Sequence, residues 1–232
     1  MRYYWIMILG ILFLASQVSG QGSPALKTQK DRISYLIGMD IGTNLKNQGV
    51  EVHPEILFQG LKDALSGNKS LLTEKETNET ITAFQKEMKA KQEERMKQTS
   101  EKNKKEGEAF LAANKKKEGV VTLPSGLQYK VIKKGSGKKP KATDTVTTHY
   151  RGKLIDGTEF DSSYKRGEPA SFPVNAVIPG WTEALQLMEE GAKWQLFIPS
   201  SLAYGEQGAG PQIGPNATLI FEVELISIQE KK

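Results

Sequence analysis

The chain has 232 residues, no cysteine and a formal net charge of +5. Its length admits one full domain and a smaller second unit, and the missing cysteine excludes disulfides, thiolate zinc sites and lipid attachment through cysteine. The basic excess lies mainly between residues 86 and 117, apart from any aromatic-studded surface, which argues against nucleic-acid binding.

Residues 1–20 read as a signal peptide. Arg2 supplies a minimal positive start, residues 3–15 are mostly apolar, and Val18-Ser19-Gly20 offers a peptidase site before Gln21. The apolar run is too short to span a bilayer core of about 30 Å as a helix. The mature chain is therefore expected to be exported, with an uncleaved signal anchor as the alternative.

Residues 31–66 read as two amphipathic helices. Ile33, Ile37, Ile41 and Leu45 recur every fourth position and share one face, with Gly38 and Gly42 on an adjacent stripe. Pro54 suits the first turn of the second helix, and Leu57, Leu61, Ala64 and Leu65 follow it. Two such helices are too small to build a core alone. Pairing with a second copy is the simplest remedy. Residues 21–72 are thus expected to be a helical dimerisation domain, giving a homodimer through residues 31–66.

Thr73 and Glu76 resemble a capping box, and no proline or turn cluster interrupts the chain from there to about Asn114. Glu87 precedes Lys91, Glu93 precedes Lys97 and Glu101 precedes Lys105, each in the favourable helical order. Few large apolar residues occur beyond Met96. Residues 73–117 therefore predict a long, solvated connecting helix between two bodies, with Gly107 as a hinge and disorder as the alternative. About forty residues at about 1.5 Å each reach about 60 Å.

Residues 115–125 read as a linker, and the last domain is placed at 118–232. There Leu127, Tyr129 and Val131 alternate with polar positions, as do Val146, Thr148 and Tyr150, which predicts half-buried strands. Asp156-Gly157 marks a turn between strands. Trp181, Ala184, Leu185 and Met188 fall at helical spacing before Gly191. Several strands with one helix indicate an α+β domain.

Three strings concentrate the chemistry: Phe160-Asp161-Ser162-Ser163, Val177-Ile178-Pro179-Gly180-Trp181 and Leu202-Ala203-Tyr204-Gly205. They supply aromatic and aliphatic side chains with one acid and one phenol. His53 and His149 are the only histidines, with neither metal-ligand spacing nor a nucleophile-elbow motif. The residues thus point to an apolar, aromatic-walled pocket with a few polar groups, and to no cofactor or metal. Taken singly, each has a plainer reading: Trp181 and Phe221 as core, Tyr150 as packing on a strand face, Asp161 as a turn residue, Tyr204 as the close of a turn.

In their order, these strings identify a resemblance. Together with residues 146–150, Leu154-Ile155-Asp156-Gly157 and residues 216–225, they resemble the FKBP-type peptidyl-prolyl cis-trans isomerase domain over residues 126–228. Residues 34–42, Asn47-Gln48-Gly49 and Gly107-Glu108-Ala109-Phe110-Leu111 are similar to the narrower macrophage infectivity potentiator (Mip)-like group. The resemblance implies an antiparallel half-barrel sheet wrapped on a short helix, preceded by the long connecting helix and a small all-helical dimerisation domain. It implies Trp181 as the pocket floor, Tyr150, Phe160, Val177, Ile178 and Phe221 as walls, and Ile213 on a covering loop. Asp161 and the Tyr204 hydroxyl are implied as polar pins, and the Ile178 amide as a donor to a substrate carbonyl. Ala170 and Ala209 depart from the aromatic and the histidine of many single-domain members, so one wall and one loop contact are expected to be missing. The implied partners are proline-containing unfolded or nascent exported polypeptides and macrolide ligands as inhibitors. The implied place is the periplasm, outer membrane or medium, with a chaperone activity in a cleft between two arms. The competing reading is a non-catalytic holdase or surface binding module.

Overall fold

The computed structural model describes residues 25–229, so the signal segment expected over residues 1–20 lies outside the described residues. The chain divides after Glu74 into two compact units.

The first unit carries helices α1 (Gln29–Gln48) and α2 (Pro54–Ser66). Thr28 and Asp31 form a reciprocal capping box at the start of α1, and Gly49, at φ 69°, ends it in the left-handed conformation. Pro54 occupies the first turn of α2, where its missing amide costs nothing. Neither helix buries a single residue. Ile33, Ile37 and Leu61 lie on faces that remain open.

The second unit begins with α3 (Glu74–Asn114). Its first half carries surface pairs: Glu87 meets Lys91 at 2.8 Å, and Glu93 turns back to Lys89 at 3.9 Å. These exposed pairs contribute little. The last four turns are solvated on one side only; contrary to the sequence expectation, their other face is covered. Ser100, Asn103, Gly107, Phe110, Leu111 and Asn114 recur at helical spacing and face the rest of the unit. Phe110 packs on Phe197 at 6.0 Å between ring centroids. Buried Asn114 donates to Gln128 Oε1 at 3.0 Å, and Gln128 Nε2 donates to the Leu111 carbonyl at 3.0 Å. Gly107 is no hinge but a point of close approach, since a Cβ there would stand 2.2 Å from Thr218 Oγ1.

Seven strands follow: β1 (Val120–Thr122), β2 (Gln128–Lys133), β3 (Thr145–Leu154), β4 (Glu159–Ser162), β5 (Ala170–Pro173), β6 (Lys193–Ile198) and β7 (Leu219–Gln229). β1 lies in the stretch read as a linker; Val120 pairs with Lys130 and closes the sheet edge. The order is β1-β2-β6-β7-β3-β4, with β5 also on β3, and every pairing is antiparallel. β3 alternates buried and half-buried positions, the pattern of a strand with one covered face. Short helices α4 (Ser163–Arg166) and α5 (Pro179–Leu185) complete the unit. The sheet wraps α5, which buries Trp181, Ala184 and Leu185. Leu185, Met188, Leu196, Ile198, Val223 and Leu225 pack into the core between helix and sheet, each contributing roughly 1.5–3 kcal/mol of burial.

Candidate active site

The first turn of α5 sets the floor of a cavity of about 740 Å³. Trp181 lies there, 4% exposed. Tyr150 from β3, Phe221 from β7 and Phe172 from β5 meet its ring edge-to-face, with centroids at 5.3, 5.2 and 5.9 Å. This geometry matches the preferred electrostatics of aromatic pairs. Phe160 from β4 stands edge-on to Phe221 at 5.5 Å. Both rings cross β3 at Gly152, where a Cβ would come within 2.6 Å of Phe160 and 2.7 Å of Phe221. A glycine is therefore required for the rings to close over the strand.

The polar side of the cavity is a three-residue network. The Tyr150 hydroxyl donates to Asp161 at 2.5 Å. Arg166, on α4, donates to the other Asp161 oxygen and, at 2.7 Å, to the Tyr150 hydroxyl. Its guanidinium also stands over the Tyr150 ring, 5.4 Å from the centroid. Burial alone would raise the Asp161 carboxyl, but the Tyr150 hydroxyl and Arg166 outweigh it and hold the group below its ordinary value. Burial, with Asp161 beside it, pushes the Tyr150 hydroxyl up. Ser163 fixes the frame: its hydroxyl accepts from the Tyr150 amide at 2.8 Å and donates to the Tyr150 carbonyl at 3.1 Å.

Ile178 is the N-cap of α5, and its carbonyl accepts from Trp181 and Thr182. Its own amide donates to none of the described residues. Tyr204 sits at the rim, 40% exposed. Ala209 and Ile213 bridge across the covering loop and turn into the cavity beside Gly210, Pro211 and Gln212.

Asp161, Tyr204 and Ile178, together with Tyr150, Phe160, Val177, Trp181, Ile213 and Phe221, all line this one cavity. The sequence reading missed two participants. Phe172 supplies an aromatic wall near the one expected to be missing at Ala170: strand alternation sends both residues to the same side of β5, and Phe172 reaches both Tyr150 and Trp181. Arg166 follows Asp161 by five residues, and that spacing alone does not show that the turn through α4 brings its guanidinium onto the carboxylate.

Comparison with known proteins fixes the family. A family model described as FKBP-type peptidyl-prolyl cis-trans isomerase matches residues 136–226, and one described as the domain amino-terminal to it matches residues 30–131. The chain is 48% identical over 230 residues to "Outer membrane protein MIP" of Legionella longbeachae, covering 99% of this chain and 98% of the relative. This chain belongs to the FKBP-type peptidyl-prolyl cis-trans isomerase family. A "Peptidyl-prolyl cis-trans isomerase Mip" of Coxiella burnetii is 48% identical over 206 residues, 89% of this chain and 90% of that one. The crystal structure of FkpA from Escherichia coli matches with a TM-score of 0.69 and 38% identity, over 88% of this chain and 99% of that one. The α+β fold of an FKBP-type isomerase, with helices before an antiparallel sheet, is thus established for this chain. So is its reaction class, rotation about the Xaa-Pro bond. Among the described residues, no helix is long and apolar enough to cross a membrane.

Proposed function

We propose that the Trp181 cavity turns over Xaa-Pro bonds by differential binding, without covalent or proton-transfer chemistry. Rotation must cross a resonance barrier of about 18–20 kcal/mol. The twisted amide has lost that resonance and is less charge-separated than the planar one. An apolar cavity therefore penalises the ground state more than the transition state. Trp181, Tyr150, Phe160, Val177, Phe221 and Ile213 hold the proline ring. The Ile178 amide and the Tyr204 hydroxyl, which bond to none of the described residues, donate to substrate carbonyls. Asp161, neutralised by Arg166, faces the twisting amide as a fixed dipole and not as a base. The observation that carries this reading is the convergence of all these side chains on one aromatic cavity.

The natural substrates are proline-containing segments of exported proteins in the bacterial envelope, where slow Xaa-Pro isomerisation limits folding. The relative named as an outer membrane protein supports that location. The apolar faces of α1 and α2, with no buried residue, support self-association through residues 31–66. A dimer would offer an unfolded chain two weak contacts at raised effective concentration, a chaperone activity beside the isomerase.

The test is isomerisation of an Ala-Leu-Pro-Phe peptide by residues 21–232, with a macrolide FKBP ligand as inhibitor. Acceleration abolished by the ligand is the expected result. A folded sample without acceleration would leave the cavity as a holding site and the protein as a binding module.

A further inference from the structure

The loop that covers the cavity is not held by the isomerase sheet alone. It runs from Gly205 to Gly214, with glycine also at positions 208 and 210, and so has much conformational freedom to lose. What fixes its far end is α3. Asn103 Nδ2 donates to the Pro215 carbonyl at 2.8 Å. The Asn216 side-chain amide donates to Ser100 Oγ at 2.8 Å. Contact is close along this seam: a Cβ at Gly214 would stand 3.1 Å from Asn103 Nδ2 and 3.3 Å from Thr99 Cγ2.

Asn216 is the junction. It is the only non-glycine among the described residues with positive φ, at 55°, a conformation that asparagine tolerates better than most residues. In that conformation its backbone amide reaches the Gly205 carbonyl at 2.8 Å, the peptide next to Tyr204. Its side-chain oxygen accepts from Ser200 Oγ at 3.4 Å. One residue therefore ties both ends of the loop to α3, with Tyr204 at one end and Ile213 at the other.

We propose that Asn103 and Asn216 are positioning residues of the isomerase, through which the connecting helix sets Tyr204 and Ile213 over the Trp181 cavity. The helix is then a structural part of the active site as well as a spacer. Holding the loop in its bound geometry removes an ordering cost that substrate would otherwise meet on binding. Releasing it acts on ground state and transition state alike, so the effect falls on KM and not on kcat. This inference rests on the proposed roles of Tyr204 and Ile213.

The experiment compares the full mature chain with Asn103→Ala, Asn216→Gly, Ser100→Ala and Ser100→Thr. Asn216→Gly keeps the backbone conformation and removes the side-chain bonds. Each loss variant is expected to raise KM for the tetrapeptide about three- to tenfold, the scale of one hydrogen bond, with kcat within about twofold. Ser100→Thr keeps the acceptor and restores the wild-type KM, and Lys97→Ala, beside the seam on the exposed side of α3, changes neither constant. Independently of activity, the methyl resonance of Ile213 shifts and broadens in the loss variants, while those of Val223 and Leu225 stay in place. Unchanged KM and an unmoved Ile213 methyl in folded variants would overturn the proposal. Should Asn103→Ala not fold, Ser100→Ala, a single hydroxyl removed, gives the same readouts. An inactive wild type would instead defeat the isomerase reading, and the methyl signal would still decide whether α3 holds the loop.

Discussion

Leu61 in α2 and Leu185 in α5 are the same residue on the apolar face of a short helix, yet Leu61 is 44% exposed and Leu185 is fully covered. The difference lies in what surrounds them. α5 has a seven-stranded sheet wrapped over it. α1 and α2 have apolar faces too, and among the described residues nothing buries them. An apolar stripe therefore predicts that a face will be covered, but it does not say by what.

That contrast fixes the largest predicted effect. Leu185→Ala is expected to cost about 2–5 kcal/mol of stability, through lost burial and a residual cavity, at any protein concentration. Leu61→Ala is expected to leave the isomerase unit's melting point unchanged and to weaken self-association about tenfold, corresponding to about 1.4 kcal/mol. Its penalty should shrink as protein concentration rises, because association stabilises by mass action. Thermal unfolding across a concentration series, with analytical centrifugation, checks both. An equal, concentration-independent loss for Leu61→Ala would mean that these helices are not covered by a second copy.

The next effect belongs to the covered unit alone. Gly152→Ala inserts a methyl group where Phe160 and Phe221 ring atoms stand at 2.6–2.7 Å from the new Cβ. Such overpacking costs about 1–3 kcal/mol. Here the rings that must move are walls of the cavity, so kcat/KM should fall about ten- to a hundredfold, on the scale of roughly 1.4 kcal/mol per decade. Self-association through α1 and α2 should not change. Wild-type turnover with an alanine at this position would mean that the ring pair does not shape the reacting site.

The two kinds of covering also explain what was legible in the sequence. Large apolar and aromatic residues announce themselves by period. Hence the strand containing Tyr150, the helix containing Trp181 and the apolar faces of α1 and α2 could be read directly. The docked end of α3 could not. Apart from Phe110 and Leu111, its inner face is Ser100, Asn103, Gly107 and Asn114, residues that pack by close approach and hydrogen bonding and leave no mark in hydropathy. Arg166 and Phe172 were missed for a related reason. Their roles depend on partners in other elements, Asp161 on β4 and Trp181 on α5, and spacing in the sequence does not show that the chain folds Arg166 back onto a carboxylate five residues earlier. The site's apolar shape was readable from residues, while the network that sets its charge needed tertiary geometry.

Asp161→Asn tests that network at smaller scale. The substitution keeps shape but removes the charge that both Tyr150 and Arg166 address. A charge-assisted bond becomes a neutral one, and roughly half its strength is lost. A fall of about tenfold in kcat/KM, with the fold intact by circular dichroism, is expected. Arg166→Ala should produce a similar fall, and the double variant should be no worse than about either single one, since the residues act as one unit. Strict additivity would show that Arg166 and Asp161 contribute separately.

The smallest expected effect is a pH profile with almost no slope. Asp161 is held below its ordinary value, about 3.9 for an aspartate, and Tyr150 is pushed above its own, about 10. From about pH 5 to 9 the network therefore stays in one protonation state, carboxylate and neutral phenol, beside a permanently charged guanidinium. A carboxyl whose folded value is depressed contributes stability that is fully present above its unfolded value. That contribution is lost as pH falls through the lower folded value. Both the acid limb of kcat/KM and the matching loss of stability should thus lie below about pH 4. Because rotation moves no proton, no second limb should appear near neutrality. Measuring kcat/KM with the tetrapeptide at constant ionic strength from pH 4 to 9 separates the cases. A flat profile is what binding of a twisted amide requires. A limb between pH 6 and 8 would mean that a titrating group takes part in the rate-limiting step, and the account of Asp161 as a fixed dipole would have to be replaced by one in which protons move.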